Sequence, residues 1–324
     1  MGKSKIAVLT SGGDAPGMNA AVRAVVRTAS YYSQEVVGVY RGYDGLIHGD
    51  LKSLKNANVA NIIHRGGTIL KTARSKEFRT VEGRAQAAKI LKEHDVSGLI
   101  VIGGNGSYTG AKFLTEEHGI QTVGLPGTID NDIYGTDYTI GFDTAINTAV
   151  EAVDKIRDTA DSHSRLFFIE VMGRHSGYIA LHTGIGSGAT SVFLPEREDS
   201  IEDFIAQLKQ AGRRNKLFNL VIVAEGNKNG TASEIAATVA KEVDMDVRTA
   251  VIGHLQRGGA PTASDRVLAS KLAFHGVKAL VEGKTNLAIG LVNQNIEYTS
   301  FQDAINKSKS PEEKVIQMAE ILAL

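Results

Sequence analysis

The stretch Gly98–Ala111, GLIVIGGNGSYTGA, combines a continuous apolar run with a glycine-rich turn and the start of a helical pattern. A short apolar run without polar alternation indicates a strand that is covered on both faces, as in a parallel sheet. The glycines after the run permit a tight turn into the next helix. This stretch therefore predicts one strand, turn and helix unit of an α/β fold.

The same unit recurs along the chain. Other apolar runs that resemble buried strands are Ile6–Thr10, Thr122–Leu125, Leu166–Val171, Asn219–Ala224, Thr249–Gly253 and Leu287–Val292. Segments of helical periodicity lie between them, at Gly83–His94, Asp143–Thr159, Ser200–Arg213 and Ser264–Val281. The alternation predicts an α/β fold with mainly parallel sheets, and a length of 324 residues favours two lobes over one.

Composition and charge exclude several classes of protein. The chain has 36 basic and 36 acidic residues, so no net field favours nucleic acid or an anionic membrane. It has no cysteine, which excludes disulfides and thiolate metal sites. The start, MGKSKIAVLT, lacks the pattern of a signal peptide, and no later run is long enough to span a bilayer. We expect a soluble cytoplasmic protein without nucleic-acid or membrane partners.

Glycine turns follow two of the predicted strands, at Thr10–Ala20 and at Gly103–Ser107, and each precedes a helix. Backbone N–H groups at a helix start, together with the helix dipole, favour a bound phosphate. The first turn has neither the G-x-G-x-x-G spacing of a Rossmann motif nor that of a P-loop. A tight connection that binds nothing is the alternative for either turn.

Acidic and basic residues complete a candidate phosphoryl-transfer site. The stretch PGTIDND, Pro126–Asp132, follows a third predicted strand, and a carboxylate there can take the proton of an attacking hydroxyl. Basic residues that could contact phosphate lie in or near loops: Arg74, Arg165, Arg174, Arg248, His254 and Arg257. Solvated loop acids and surface arginines are the alternatives.

Five motifs occur in the order found in 6-phosphofructokinases: LTSGGDAPGMNA, IGGNGS, GLPGTIDND, EVMGRHSG and GHLQRGG. The sequence resembles the short bacterial ATP-dependent enzymes of that family. The resemblance implies two Rossmann-like, three-layer α/β/α lobes with mainly parallel sheets, with the chain crossing between the lobes. Residues 1–140 and 256–305 would form a larger ATP-binding lobe, and residues 141–255 and 306–324 a smaller sugar-phosphate-binding lobe. It also implies transfer of the γ-phosphoryl group of ATP to the 1-hydroxyl of fructose 6-phosphate, with Mg²⁺, by a homotetramer.

The resemblance also implies the roles of individual residues. Asp130 would be the general base, with Thr128, Asp132 and Arg174 around the transferring phosphoryl group. ATP would be bound by Gly13, Tyr43, Arg74, Ser75, Gly104, Asn105, Gly106 and Ser107. Fructose 6-phosphate would be bound by Arg165, Met172, Gly173, Glu225, Arg248, His254 and Arg257, of which Arg165 and Arg248 would come from a neighbouring subunit. An effector site for ADP or phosphoenolpyruvate would include Arg23, Arg27, Arg157, Arg214 and Lys216.

Three positions depart from the family pattern. Asn105 stands where a metal-site aspartate is usual, and magnesium prefers anionic oxygen ligands. We therefore expect weaker metal binding, with the ion held chiefly by the ATP phosphates, waters and Asp132. In the effector site Asn56 replaces a usual arginine and Thr190 a usual glutamate, so we expect weak or altered activation by ADP.

Several functional alternatives stay open on the sequence. Asn105 precedes a glycine and is therefore prone to deamidation, which would restore an aspartate. A catalytically weak regulatory paralogue is a second alternative. A pyrophosphate-dependent enzyme is a third, although such relatives carry aspartate and lysine where Gly106 and Gly127 stand here. NAD and lipid kinases share the Gly-Gly-x-Gly turn but have no use for the sugar-phosphate residues.

Overall fold

A computed structural model describes residues 5–163, 165–212 and 220–323 of the chain. The chain forms two compact units. The first comprises Met1–Ile129, Ile133–Thr144 and Arg257–Lys309, and the second comprises Asp130–Asp132, Ala145–Gln256 and Ser310–Leu324.

This division differs from the predicted boundaries at four short segments, and hydrogen bonds explain each difference. In the second unit, Asp130 is hydrogen-bonded to Ser176, and Gln256 to Met172. In the first unit, Thr144 is hydrogen-bonded to Thr262, and Lys309 to Asp137. The two partners of every pair are distant in sequence, so local patterns do not reveal these pairings.

The first unit is built on a seven-stranded sheet in the order β11-β10-β5-β4-β1-β2-β3. Its strands are β1 Lys5–Thr10, β2 Glu35–Val39, β3 Leu51–Leu54, β4 Val96–Gly103, β5 Gln121–Pro126, β10 Leu287–Val292 and β11 Asn295–Ser300. The five central strands are parallel, and the outer strands β3 and β11 are antiparallel to their neighbours. Leu9, Ile100 and Val123 of the central strands are fully buried, as expected for strands covered on both faces.

Helices cover both faces of this sheet. They are α1 Met18–Tyr31, α2 Gly42–Ile47, α3 Val81–Glu93, α4 Asn105–His118, α9 Ala263–Val281 and α10 Phe301–Asn306, with a 3₁₀ helix at Glu77–Arg79. Leu9 and Leu99 share one core with Tyr108 of α4. On the other face, Gly276 of α9 lies against Leu125 and Ile100. The first unit is therefore a three-layer α/β/α arrangement, as the sequence predicted.

A buried carboxylate holds the start of α9. Asp265 is only 1% exposed, and its two oxygens accept hydrogen bonds from Gly141 N and Thr144 N at 2.8 Å each. Thr144 Oγ1 donates a third at 2.5 Å. Burial raises the pKa of Asp265 above its usual value, while the three donors act in the opposite direction. This contact anchors the last residues of the first unit before the chain enters the long Ala145–Gln256 segment of the second unit.

The second unit contains a parallel sheet in the order β7-β8-β6-β9. Its strands are β6 Leu166–Val171, β7 Ser191–Phe193, β8 Leu220–Ala224 and β9 Val247–Val251. Its helices are most of α5 Phe142–His163, together with α6 Tyr178–Ser187, α7 Ile201–Gly212, α8 Ala232–Val239 and α11 Glu313–Leu322. Phe168, Phe193 and Phe204 pack in its core. A 3₁₀ helix spans Gly253–Arg257.

The prediction for the strand at Thr249–Gly253 was wrong in two respects. The strand ends at Val251, and residues from Gly253 form the 3₁₀ helix. It is also an outer strand of its sheet, and Val251 is 62% exposed instead of covered.

Within the described part of the chain, no helix has the length and apolar character needed to cross a membrane.

Candidate active site

The two glycine turns of the first unit pack against each other after β1 and β4. Ser11 N donates to Ile102 O at 2.9 Å, which joins the turns where the strands end. A side chain on Gly103 would lie 2.4 Å from Ser107 Oγ and 2.6 Å from Ser11 O. Such distances are impossible for a Cβ atom, so the close approach of the turns requires glycine at this position.

Helix α4 begins within the second turn. Its first residue is Asn105, and Gly104 is the N-cap. The first N–H groups of a helix lack intrahelical partners and carry partial positive charge, so this end suits an anion. A Cβ on Gly106 would meet no atom within 4 Å, which leaves open space beside the turn. Asn105 Oδ1 is buried and has no hydrogen-bond partner among the described residues.

Tyr43 supports the second turn from inside the unit. It is 6% exposed, its hydroxyl donates to Ser107 O at 2.6 Å, and its ring stacks on Phe78 with centroids 4.0 Å apart. Burial raises the pKa of Tyr43. Ser75 Oγ accepts from Phe78 N at 3.2 Å, and Arg74 is exposed. Of these predicted ATP-binding residues, Tyr43 is thus buried, whereas Arg74 is accessible.

The strand end after β5 joins the same turns. Gly127 N donates to Gly103 O at 3.1 Å, and the side chain of Thr128 lies beside Gly104. The Thr128 carbonyl accepts from Thr139 Oγ1 at 2.6 Å, which fixes the backbone at this point. Three strand ends and Thr128 therefore meet at one edge of the first sheet.

Arg257 also belongs to the first unit. Its Nη1 donates to Asp14 O at 3.2 Å, and its guanidinium lies directly against Gly13. The six other predicted sugar-phosphate residues, Arg165, Met172, Gly173, Glu225, Arg248 and His254, belong to the second unit.

In the second unit, Arg174 and Glu225 meet at the carboxyl ends of β6 and β8. Arg174 has φ 54, an uncommon value for a residue other than glycine, and its N lies 3.4 Å from Glu225 Oε2. Glu225 N donates to Val171 O at 2.8 Å. A side chain on Gly226 would lie 2.1 Å from Arg174 O, so the two loops are in tight backbone contact.

Asp130 lies in the same unit as the Arg174 loop. It is 6% exposed, and its backbone carbonyl accepts from Ser176 Oγ at 2.7 Å. Asp132 is half-buried. The residue Ser176 was not among the predicted site residues. Only its position two residues after Arg174 in the EVMGRHSG motif could have signalled it.

Arg165 and Arg248 converge on a carboxylate that the sequence analysis missed. Arg165 Nε is 2.8 Å from Asp246 Oδ2, and Arg248 Nε is 2.9 Å from Asp246 Oδ1. The hydrogen bond from Arg165 is the main cause that lowers the pKa of Asp246, with Arg248 contributing in the same direction. The spacing Asp-x-Arg at 246 to 248 was the available signal.

The predicted sugar-phosphate residues of the second unit lie at two opposite ends of its sheet. Leu166 pairs with Val247 in parallel register, so Arg165 and Arg248 lie at the amino ends of β6 and β9. Arg174 and Glu225 follow the carboxyl ends. A strand of six residues spans about 17 Å at roughly 3.3 Å per residue. The structure therefore does not bring the whole predicted set together within one chain.

The predicted effector residues are divided between the two units. Arg23 and Arg27 lie one turn apart on α1, and Asn56 Nδ2 donates to Ser30 Oγ of that helix at 3.3 Å. In the second unit Arg157 donates to Ser187 O. Thr190 Oγ1 donates to Leu220 O at 2.7 Å. Arg214 and Lys216 lie outside the described residues.

Comparison with known proteins agrees with the resemblance. The phosphofructokinase family model matches residues 5–280. ATP-dependent 6-phosphofructokinase 1 of Thermus thermophilus and ATP-dependent 6-phosphofructokinase of Bacillus subtilis are each 51% identical over 320 residues, covering 99% of both chains. Among solved structures, phosphofructokinase from Saccharomyces cerevisiae matches with a TM-score of 0.87 and 40% identity, covering 94% of this chain and 45% of that longer chain. The chain therefore belongs to the phosphofructokinase family.

Proposed function

We propose that this chain is an ATP-dependent 6-phosphofructokinase of glycolysis. It transfers the γ-phosphoryl group of ATP to the 1-hydroxyl of D-fructose 6-phosphate and releases fructose 1,6-bisphosphate and ADP. The observation that carries the proposal is the 51% identity to enzymes of that name over 99% of both chains. A cytoplasmic location, where ATP and phosphorylated sugars occur, is part of the proposal. Neither a regulatory paralogue nor a pyrophosphate-dependent enzyme is favoured.

ATP binds at the glycine turns of the first unit. The start of α4 supplies N–H groups for phosphate, and the open space at Gly106 leaves room for the nucleotide. An aspartate at Gly106, as in pyrophosphate-dependent relatives, would fill that space. The full proposed ATP set is Gly13, Tyr43, Arg74, Ser75, Gly104, Asn105, Gly106 and Ser107, with Tyr43 acting through Ser107.

Asp130 acts as the general base. Its carboxylate accepts the proton of the 1-hydroxyl as that oxygen forms a bond to the γ-phosphorus and the bond to the ADP oxygen breaks. Arg174 stabilises the negative charge on the transferring group, and Thr128 positions it. The near-complete burial of Asp130 supports this role, because a buried carboxylate is protected from competing water.

Magnesium is held chiefly by the nucleotide phosphates and water. Among the described residues, no group of three or more His, Asp or Glu side chains could hold a metal ion alone. Asn105 Oδ1 is a buried oxygen without a described partner, so it suits a weak neutral ligand. Asp132 supplies an anionic oxygen. When bound, the ion neutralises charge on the phosphates.

The sugar phosphate is bound by residues of two subunits. Met172, Gly173, Glu225, His254 and Arg257 serve the site of their own chain, whereas Arg165 and Arg248 serve a neighbouring chain in a homotetramer. The position of these two arginines supports their assignment to a neighbouring chain. They lie at the amino ends of β6 and β9, whereas Met172, Gly173, Glu225 and His254 come after the carboxyl ends of their strands. A closed symmetric assembly then completes every site.

An effector such as ADP or phosphoenolpyruvate binds at Arg23, Arg27, Arg157, Arg214 and Lys216. Thr190 lacks the charge of the usual glutamate, and its hydroxyl already donates to Leu220 O. Metal-assisted binding of an activator is therefore weak at this site.

The first prediction concerns Asp130. Asp130→Asn lowers kcat by about 10²- to 10⁴-fold, the usual contribution of a general base, because the amide cannot accept the proton. Steady-state kinetics measure kcat, and equilibrium binding measures the affinity for ATP, which should not change. Asp303→Asn, at a partly exposed carboxylate, is the control. Equal losses of ATP affinity and kcat would contradict the role.

The second prediction concerns the metal. Asn105→Asp lowers the Mg²⁺ concentration needed for half-maximal nucleotide binding by about tenfold, or about 1.4 kcal/mol, because a carboxylate attracts the ion more strongly than an amide. Titration of Mg²⁺ in an ATP-binding assay, on protein whose mass confirms residue 105, measures it. An unchanged Mg²⁺ midpoint would show that residue 105 does not contact the ion.

The third prediction tests the shared site by mixing two inactive variants. Asp130→Asn and Arg248→Ala chains, each inactive alone, are unfolded together and refolded as a mixture. About a quarter of all sites in a 1:1 mixture then combine an intact Asp130 with an intact Arg248 of the neighbouring chain, and activity returns to that extent. A single-chain site would give no recovery, since no chain would hold both residues.

The fourth prediction concerns activation. ADP shifts the fructose 6-phosphate saturation curve less than twofold, because the effector site lacks the negative side chain that would hold the activator's metal. Initial rates at several ADP concentrations test this. Thr190→Glu is the matched variant, and it should increase the shift. A strong response of the unmodified enzyme would refute the expectation.

A further inference from the structure

The loop that carries Arg174 is held at both ends by side chains outside the assigned site. The loop runs from Met172 to Gly177, between β6 and α6. Its position decides where the Arg174 guanidinium can reach. Its importance rests on the proposed role of Arg174 in phosphoryl transfer.

Two neighbouring residues give this loop an unusual backbone. Gly173 has φ 148, and Arg174 has φ 54. A non-glycine residue in the left-handed region is strained and persists only where surrounding contacts impose that conformation. Inside the loop, only a single turn bond, Ser176 N to Gly173 O at 2.9 Å, is found among the described residues. Contacts from outside must therefore fix the loop.

Gln256 holds the beginning of the loop. It is completely buried, and its Oε1 accepts from Met172 N at 2.8 Å. The Nε2 atom is buried without a hydrogen-bond partner among the described residues. Burial of an unpartnered amide nitrogen lowers stability. Such a side chain is expected where the position of the loop backbone matters more than stability.

Glu196 holds the end of the loop. Its Oε1 accepts from Gly177 N at 2.8 Å, and a side chain on Gly177 would lie 2.4 Å from Glu196 Oε2. Gly177 is the N-cap of α6 and has no side chain to cap the helix. Glu196, which follows β7, therefore supplies a carboxylate acceptor at the start of α6. The helix dipole favours negative charge at this end of the helix.

We propose that Gln256 and Glu196 are positioning residues that clamp the Met172–Gly177 loop and so hold Arg174 in the strained conformation required for phosphoryl transfer. The clamp extends to the base, because Ser176 in the same loop donates to the carbonyl of Asp130. Release of either end lets Arg174 relax to an ordinary backbone conformation and move its guanidinium.

Matched substitutions test the clamp in the full-length enzyme. Glu196→Met and Gln256→Met keep the side-chain length but remove the acceptor, and each lowers kcat about tenfold with little change in KM for ATP. Glu196→Gln keeps an acceptor oxygen and retains a kcat close to that of the unmodified enzyme. Glu234→Met removes the carboxylate that accepts from Thr231 N at the start of α8, and it lowers Tm without changing kcat.

A double-substitution cycle separates positioning from simple stability. Arg174→Ala alone lowers kcat, and adding Glu196→Met then causes no further loss, because the clamp acts through Arg174. Two results would overturn the clamp while leaving the proposed function intact. In the first, Glu196→Met lowers kcat tenfold both in the unmodified enzyme and in Arg174→Ala. In the second, Glu196→Met and Gln256→Met both keep the kcat of the unmodified enzyme. An unmodified kcat in Arg174→Ala would refute the role of Arg174 and the clamp together. If Gln256→Met does not fold, the comparison of Glu196→Met with Glu196→Gln tests the clamp alone.

Discussion

The parallel direction of the strands is the constraint on which the candidate site residues of each unit depend. Parallel strands place their carboxyl ends at one edge, so the turns after β1, β4 and β5 must meet there. Hydrogen bonds from Ser11 to Ile102 and from Gly127 to Gly103 join the three ends. The meeting is so close that Gly103 has no room for a side chain. Helix α4 begins directly after β4, so its first N–H groups lie at the same edge, which supports the proposed phosphate site.

The same constraint explains why one chain does not bring all the predicted sugar-phosphate residues together. In the second sheet, Arg165 precedes β6 and Arg248 is the second residue of β9, whereas Arg174 and Glu225 follow β6 and β8. A change of rotamer cannot bring the two arginine side chains to the other end of a six-residue strand. Asp246 keeps the two arginines paired and oriented at their end. This separation supports the proposed tetramer, in which a neighbouring chain supplies the two arginines.

Buried polar side chains hold irregular segments in each of the two units. Asp265 binds the segment Gly141–Thr144 through three donors, and Gln256 binds Met172. Burial of a carboxylate or amide is unfavourable unless it is hydrogen-bonded, so such groups impose a single backbone arrangement. The raised pKa of Asp265 means that burial opposes its ionised form. Its contribution to folding stability therefore decreases as pH rises from the unfolded to the folded pKa.

Local patterns in the sequence determined the fold class, the glycine turns and most central strands, because strands covered on both faces are apolar throughout. The motifs alone also indicated the family, which full-length similarity confirms. The tertiary structure decided what depends on distant partners. The strands β3, β7 and β11 were not predicted, because short or outer strands carry little apolar signal of their own. The central strand β2 was also missed, although its Val36, Val37 and Val39 are buried. The burial of Tyr43, the bridge from Arg165 to Asp246 and the bond from Ser176 to Asp130 each depend on residues far apart in sequence. Sequence periodicity reports which face of an element is apolar, whereas side-chain partners are set by how the elements pack.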